Sequence, residues 1–205
     1  MSKKAWFYIL FFSFIVIGFY VVVSFLIPDF SKKRMKPIGE LRPFSFTNQD
    51  GVKVTEKNIE GKVTAVEYFF TTCQGICPRM NNNLRKVYDA YKGEKDFLIL
   101  SHTCDPQTDS VATLKRYADS MQVDTKQWVF LTGRKDSLYH MARHTYKIDD
   151  PHNNLNSIED DFLHTQFIAL ISRKGEIVKI YDGLKPKEMN MMKDDIAKLL
   201  TNKEL

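Results

Sequence analysis

Residues 5–27, AWFYILFFSFIVIGFYVVVSFLI, run for 23 positions without a charged side chain. At about 1.5 Å of rise per residue a helix of this length spans the ~30 Å hydrocarbon core of a bilayer. The stretch is therefore predicted to be a transmembrane helix. A cleavable signal peptide is the competing reading, but its apolar region usually runs only about 7–15 residues and ends at an A-x-A-like site, and neither feature is found here. The chain accordingly divides into a membrane anchor with a basic tether, residues 1–36, and one domain, residues 37–205.

Six of the 30 basic residues and one of the 25 acids precede residue 37, so the domain carries 24 of each. The basic balance of the chain thus belongs to membrane flanks that can meet anionic headgroups, and it gives no support for a nucleic-acid-binding surface. Lys3 and Lys4 precede the apolar run, whereas Lys32, Lys33, Arg34 and Lys36 follow it. By the positive-inside rule that count alone favours a cytoplasmic domain. Three cysteines are an odd number, which excludes a framework of structural disulfides and leaves at most one pair within the chain.

Within the domain, Phe44, Phe46, Val52 and Val54 alternate with polar residues around Asp50-Gly51, a hairpin signal. Residues 63–70, VTAVEYFF, form a continuous run rich in β-branched and aromatic side chains, as expected of a strand buried on both faces. A loop over residues 71–77 leads into a helix opened by Pro78, with Met80, Leu84, Val87, Tyr88 and Tyr91 as its apolar stripe. A strand at 97–100 and a helix at 110–121 follow, with Asp109 as the candidate N-cap and Val111, Leu114, Ala118 and Met121 pointing inward. Next come a strand at 128–131, a helix at 137–146 and a long polar loop at 149–161. A hairpin then turns at Lys174-Gly175, and the last helix carries Met189, Met192, Ile196 and Leu199. This order predicts an α/β domain with a mixed central sheet and helices on both faces.

Two of the cysteines lie in FFTTCQGICPRM, residues 69–80, four positions apart at the C-terminal end of a predicted strand and the start of a helix. Free cysteines are often small buried hydrophobes. Ligand and catalytic sites of open α/β sheets, however, lie beyond the carboxyl ends of strands, and a helix N-terminus favours thiolate. Cys73 and Cys77 are therefore read as functional. A helical turn would bring their Cα atoms to roughly 6 Å, within disulfide range, and two thiolates can equally converge on a soft ion. Both a redox pair and a metal clamp remain open on spacing alone, and a metal clamp needs a further ligand from elsewhere.

The loop FFTTCQGICP resembles the C-x-x-x-C-P loop of the Sco/SenC family. SHTCDPQTDS resembles that family's D-P-x-x-D segment through Asp105, Pro106 and Asp109, and DFLHTQFIALISRKGEIV is similar to its metal-binding histidine followed by a strand and hairpin. The match covers about residues 37–200. The resemblance implies a thioredoxin-like domain facing out of the cytoplasm, on the periplasmic or extracytoplasmic side of a bacterial inner membrane. It implies a copper ion, Cu(I) or Cu(II), held by Cys73, Cys77 and His164. The implied role is that of a metallochaperone for the dinuclear copper centre of cytochrome c oxidase. The partners it implies are the copper-centre subunit of that oxidase and other copper chaperones or thiol reductases. A thiol-disulfide oxidoreductase acting through Cys73 and Cys77 is the alternative. The chain departs from the family pattern at Gln74 and Gly75, where proline and an acid are frequent, and at Leu163, where an acid often precedes the histidine.

The remaining candidates are read as structural. Cys104 is taken as a buried thiol, with an accessory ligand or a resolving cysteine as the alternatives, and Asp105 and Asp109 as turn and helix cap. His140 and His144, at i and i+4, are taken as a solvated face, and Met189 and Met192 as core.

Overall fold

A computed structural model of the chain describes residues 2–26, 36–150 and 162–201. The chain forms two compact units, Met1–Arg34 and Met35–Leu205. In the first, helix α1 covers Lys3–Leu26, and its Lys3–Ser24 portion is long and apolar enough to cross a membrane. Large apolar side chains are exposed all round it, among them Phe7, Phe11, Phe14 and Phe19.

In the second unit the elements run β1 (Gly39–Glu40), β2 (Ser45–Asn48), β3 (Lys53–Thr55), β4 (Val63–Phe69), α2 (Ile76–Ala90), β5 (Phe97–Thr103), α3 (Val111–Met121), β6 (Trp128–Thr132), α4 (Lys135–His140), β7 (Phe167–Ile171), β8 (Glu176–Asp182) and α5 (Pro186–Thr201). The strands form one mixed sheet in the order β1-β8-β7-β4-β5-β6-β2-β3. The parallel trio β4, β5 and β6 forms its middle, and β7 joins β4 antiparallel. The predicted α/β class holds, with a mixed sheet covered on both faces.

Strand β4 is central because all seven of its side chains are buried. Val63, Ala65 and Phe69 enter one core cluster, with Met80, Leu84, Val87 and Tyr88 of α2, Leu114 and Ala118 of α3, and Met189, Met192, Ile196 and Leu199 of α5. Val66 and Tyr68 alternate into the opposite cluster, with Leu138 and Tyr139 of α4 and with Phe44, Phe46 and Val54. The predicted stripes of α2 and α5 are thus the faces that pack on the sheet, where burial of each large apolar side chain contributes about 1.5–3 kcal/mol.

Both predicted hairpins form. β2 pairs with β3 and β7 with β8, and Gly51 and Gly175 take φ of 76° and 80°, the left-handed conformation that glycine adopts without a Cβ penalty. Val52 faces solvent in the first turn. Three details differ from expectation. The cap of α3 is Ser110, whose side chain accepts from the Thr113 amide, and not Asp109. Val111 and Met121 are only half-buried. The helix expected over 137–146 is α4 followed by a π-helical turn at Met141–Thr145, marked by the Tyr146 amide donating to the Met141 carbonyl over 2.9 Å. Of the predicted 149–161 loop, residues 151–161 lie outside the described residues.

Candidate metal centre

The site lies where the central parallel strands end. Phe69 of β4 is in register with Thr103 of β5, and the Cys104 amide extends that ladder by donating to the Phe69 carbonyl at 2.7 Å. The cysteine loop leaves from this point. The Cys73 amide closes a tight turn on the Phe70 carbonyl at 3.2 Å, and α2 begins at Ile76. Cys77 therefore falls in the first turn of α2, buried at 5% exposure, whereas Cys73 is half-buried in the loop.

Asp109 holds this loop in place. It is fully buried, and its carboxylate accepts from the Thr71 amide at 3.1 Å, from the Thr71 hydroxyl and from the Thr103 hydroxyl. The residue expected to cap a helix instead ties the start of the cysteine loop to the end of β5. Asp105 forms the expected turn, its carbonyl accepting from the Asp109 amide at 2.8 Å.

Cys73, Cys77 and Cys104 are all free thiols, and those of Cys73 and Cys77 are neighbours that line one cavity. Burial pushes the Cys77 thiol up to about 12, and the neighbouring Cys73 thiol adds to the effect, while a backbone hydrogen bond at Phe70 opposes it. The helix N-terminus expected to favour thiolate is thus outweighed by burial, and Cys77 is held as a thiol until something replaces its proton. Burial likewise raises the Cys104 thiol well above its ordinary range. Cys104 is the buried thiol expected, although it also borders the site.

A cavity of about 540 Å³ opens over these groups, lined by Phe70, Cys73, Cys77, Cys104, Leu163 and His164 among others. His164 is exposed at its edge, in the irregular segment 162–166 that leads into β7. Its ring lies 4.7 Å from that of Phe162 and 6.4 Å from that of Phe70, between centroids. Among the described residues, no three His, Cys, Asp or Glu side chains already stand close enough to hold a metal ion. Cys73 and Cys77 are brought together, and His164 shares their cavity without closing on them.

Gln74 and Gly75 are exposed, and a Cβ built on Gly75 meets nothing within 4 Å. These departures from the family pattern therefore face solvent and leave the packing untouched. Leu163 is different: at 1% exposure it sits in the core cluster beneath the histidine. His140 and His144 lie with ring centroids 4.6 Å apart, His140 bordering a separate groove with Phe46 and Asp136, and among the described residues no third donor joins them. Met189 and Met192 are core residues, and Met191 faces solvent. Sequence reasoning missed the anchoring role of Asp109 and missed Tyr139, whose hydroxyl accepts from the Leu163 amide at 3.1 Å. For Asp109 the signal was visible but its partner Thr71 lies 38 positions away, and for Tyr139 there was none.

The family model described as SCO1/SenC matches residues 33–201. A SCO1 protein homolog of Bacillus subtilis is 31% identical over 161 residues, covering 77% of this chain and 79% of its own. The structure of BsSco, described as a Sco-family cytochrome c oxidase assembly protein with a disulfide switch, superposes with a TM-score of 0.68 at 27% identity, over 82% of this chain and 98% of that one. Arabidopsis thaliana ScoI, crystallised with copper bound, superposes with a TM-score of 0.62 at 26% identity, over 80% and 99%. With a family match that spans the whole folded domain, and a cysteine loop, Asp-Pro turn and late histidine gathered at one end of the sheet, the chain belongs to the SCO1/SenC family.

Proposed function

We propose that this protein is a membrane-anchored copper metallochaperone that assists assembly of the dinuclear copper centre of cytochrome c oxidase, carrying one copper on Cys73, Cys77 and His164. The observation that carries this reading is that two neighbouring thiols and an exposed imidazole border one open cavity. Two thiolates and an imidazole are soft to borderline donors that suit Cu(I), and the same sulfurs can hold Cu(II). The copper-bound relative and the oxidase-assembly relative support the same assignment.

Copper is cargo here, so the site must let it go. The buried Cys77 is a fixed donor, whereas half-buried Cys73 and exposed His164 are the groups an incoming ligand of the oxidase subunit can replace. Uptake by the thiols releases their protons to solvent. Other copper chaperones or thiol reductases would load the site and keep its sulfurs reduced. The apolar Lys3–Ser24 helix is the anchor, residues 37–205 are the working domain, and that domain faces the extracytoplasmic side of a bacterial inner membrane.

Copper titration of the full chain in detergent tests the ligand set. His164→Ala is expected to weaken binding and change the Cu(II) spectrum, and unchanged affinity and spectrum would refute the site. Thiol labelling of intact cells tests orientation: Cys73 should react with an impermeant reagent before lysis, and labelling only after lysis overturns the outward-facing domain.

A second reading, a thiol-disulfide oxidoreductase that reduces a partner's cysteines, is favoured by the two neighbouring free thiols, Cys73 and Cys77, on one open cavity. One sulfur would attack the partner disulfide and the other would resolve the mixed disulfide, leaving Cys73–Cys77 oxidised and the partner reduced. Restoration of oxidase activity by Cys73→Ser, Cys77→Ser and His164→Ala separates the two, because a reductase alone tolerates loss of the histidine.

A further inference from the structure

The structure brings the histidine to the cysteines through one side chain that neither motif contains. Tyr139 of α4 is buried at 1% exposure. Its hydroxyl donates to the Cys104 carbonyl at 2.8 Å and accepts from the Leu163 amide at 3.1 Å. Leu163 immediately precedes His164, and the Cys104 amide is bonded to Phe69 at the base of the cysteine loop. A path of hydrogen bonds, joined through the Cys104 main chain, therefore runs from the root of the cysteine loop through Tyr139 to the residue before the histidine. A hydroxyl that donates and accepts at once polarises both bonds, which strengthens each in a buried setting.

The Leu163 side chain fastens the same point from below, since it is fully buried in the cluster that holds Tyr139. Leu163 is thus a pivot with main chain and side chain both held, and the exposed His164 is the first group beyond it. On the far side the Thr165 hydroxyl donates to the Ile148 carbonyl at 2.7 Å.

We infer that Tyr139 is a positioning residue that sets His164 against Cys73 and Cys77 by tying the Leu163 amide to the Cys104 carbonyl. This rests on His164 being a copper ligand, as proposed above. Tyr139→Phe removes one oxygen and keeps the ring, so it severs the link with little change in shape. Loss of a group that orients a ligand typically costs about 10- to 100-fold in metal affinity.

The test compares wild type, Tyr139→Phe, His164→Ala and the double variant as full chains in detergent, by Cu(I) competition and Cu(II) electron paramagnetic resonance. Tyr139→Phe is expected to weaken Cu(I) by about 10-fold or more and to diminish the nitrogen hyperfine coupling that His164→Ala abolishes. In the His164→Ala background it should change affinity by less than about twofold, because it acts only through the histidine. An equal loss in both backgrounds would mean a general structural role and overturn the inference. So would an unchanged Tyr139→Phe spectrum alongside an altered His164→Ala one. An unaltered His164→Ala spectrum would instead remove the ligand assignment itself. Hydrogen exchange of the Leu163 amide in wild type needs no variant to fold: protection supports the link, and exchange at the unprotected rate refutes it.

Discussion

Glu67 is a group whose replacement should change how stability depends on pH. It lies in the middle of β4, is fully buried, and points into the cluster beneath α2. The Ser101 hydroxyl donates to its carboxyl at 2.6 Å, and Ser101 in turn accepts from the Trp128 indole at 2.8 Å. With its amide nitrogen toward Glu67, Asn81 donates to the same carboxyl at about 3.0 Å and accepts from Tyr117. Burial raises the Glu67 carboxyl from 4.5 to about 7, with the Ser101 bond pulling the other way. The folded state therefore binds the extra proton between pH 4.5 and 7 and the unfolded state does not, so the stability this proton confers is complete below 4.5 and lost as pH rises through 7. At about 1.4 kcal/mol per pKa unit, the ionised carboxylate costs the fold about 3 kcal/mol above pH 7 relative to pH 4. Glu67→Gln stays neutral and keeps an acceptor for Ser101. Urea unfolding of the metal-free chain, followed by fluorescence of buried Trp128, should show the variant gaining about 3 kcal/mol on wild type between pH 4 and pH 8. A difference between the two proteins that stays flat over that range would refute the buried-acid argument.

His102 works in the opposite direction. It is fully buried among Tyr68, Phe46 and Tyr146, with Nδ1 unpaired among the described residues, and burial lowers it from 6.5 to about 3. The unfolded chain then takes the proton first, so wild type should lose up to about 5 kcal/mol as pH falls from 6.5 to 3, and His102→Phe should lose correspondingly less in acid unfolding. Asp109→Asn turns an amide nitrogen toward the donors of Thr71 and Thr103; it should cost about 1–3 kcal/mol in urea unfolding and weaken copper binding by loosening the cysteine loop.

The parts of the fold that were legible are those whose partners are implied by periodicity. The run at 63–70 announced a doubly buried strand, and the stripes of α2 and α5 announced their packing faces. Glu67 interrupts that apolar run with no local warning, because the groups that accommodate it, Ser101, Asn81 and Trp128, come from three other elements. Asp109 misled for the same reason in reverse. A good helix cap lay next to it in sequence, while its real partner Thr71 lay across the sheet end. The widened turn after α4 was also hidden, since an apolar pattern shows which residues are buried but not which carbonyl each amide meets. It is followed by Tyr146, whose hydroxyl meets His102 Nε2 at 3.3 Å.

The site itself is encoded on two scales, and this bears on the choice between carrier and reductase. The dithiol is local: a strand end, a turn at Phe70 and the first turn of a helix suffice to make Cys73 and Cys77 neighbours on one cavity. The proposed third donor is not local, since His164 belongs to another segment and lies at the cavity edge next to Leu163, whose amide Tyr139 holds. A dithiol alone supports thiol-disulfide exchange, whereas a three-donor copper site requires the distant histidine as well. Cutting the Tyr139 link should therefore leave the thiol chemistry intact while weakening the copper site, so that the two functions separate at a single hydroxyl.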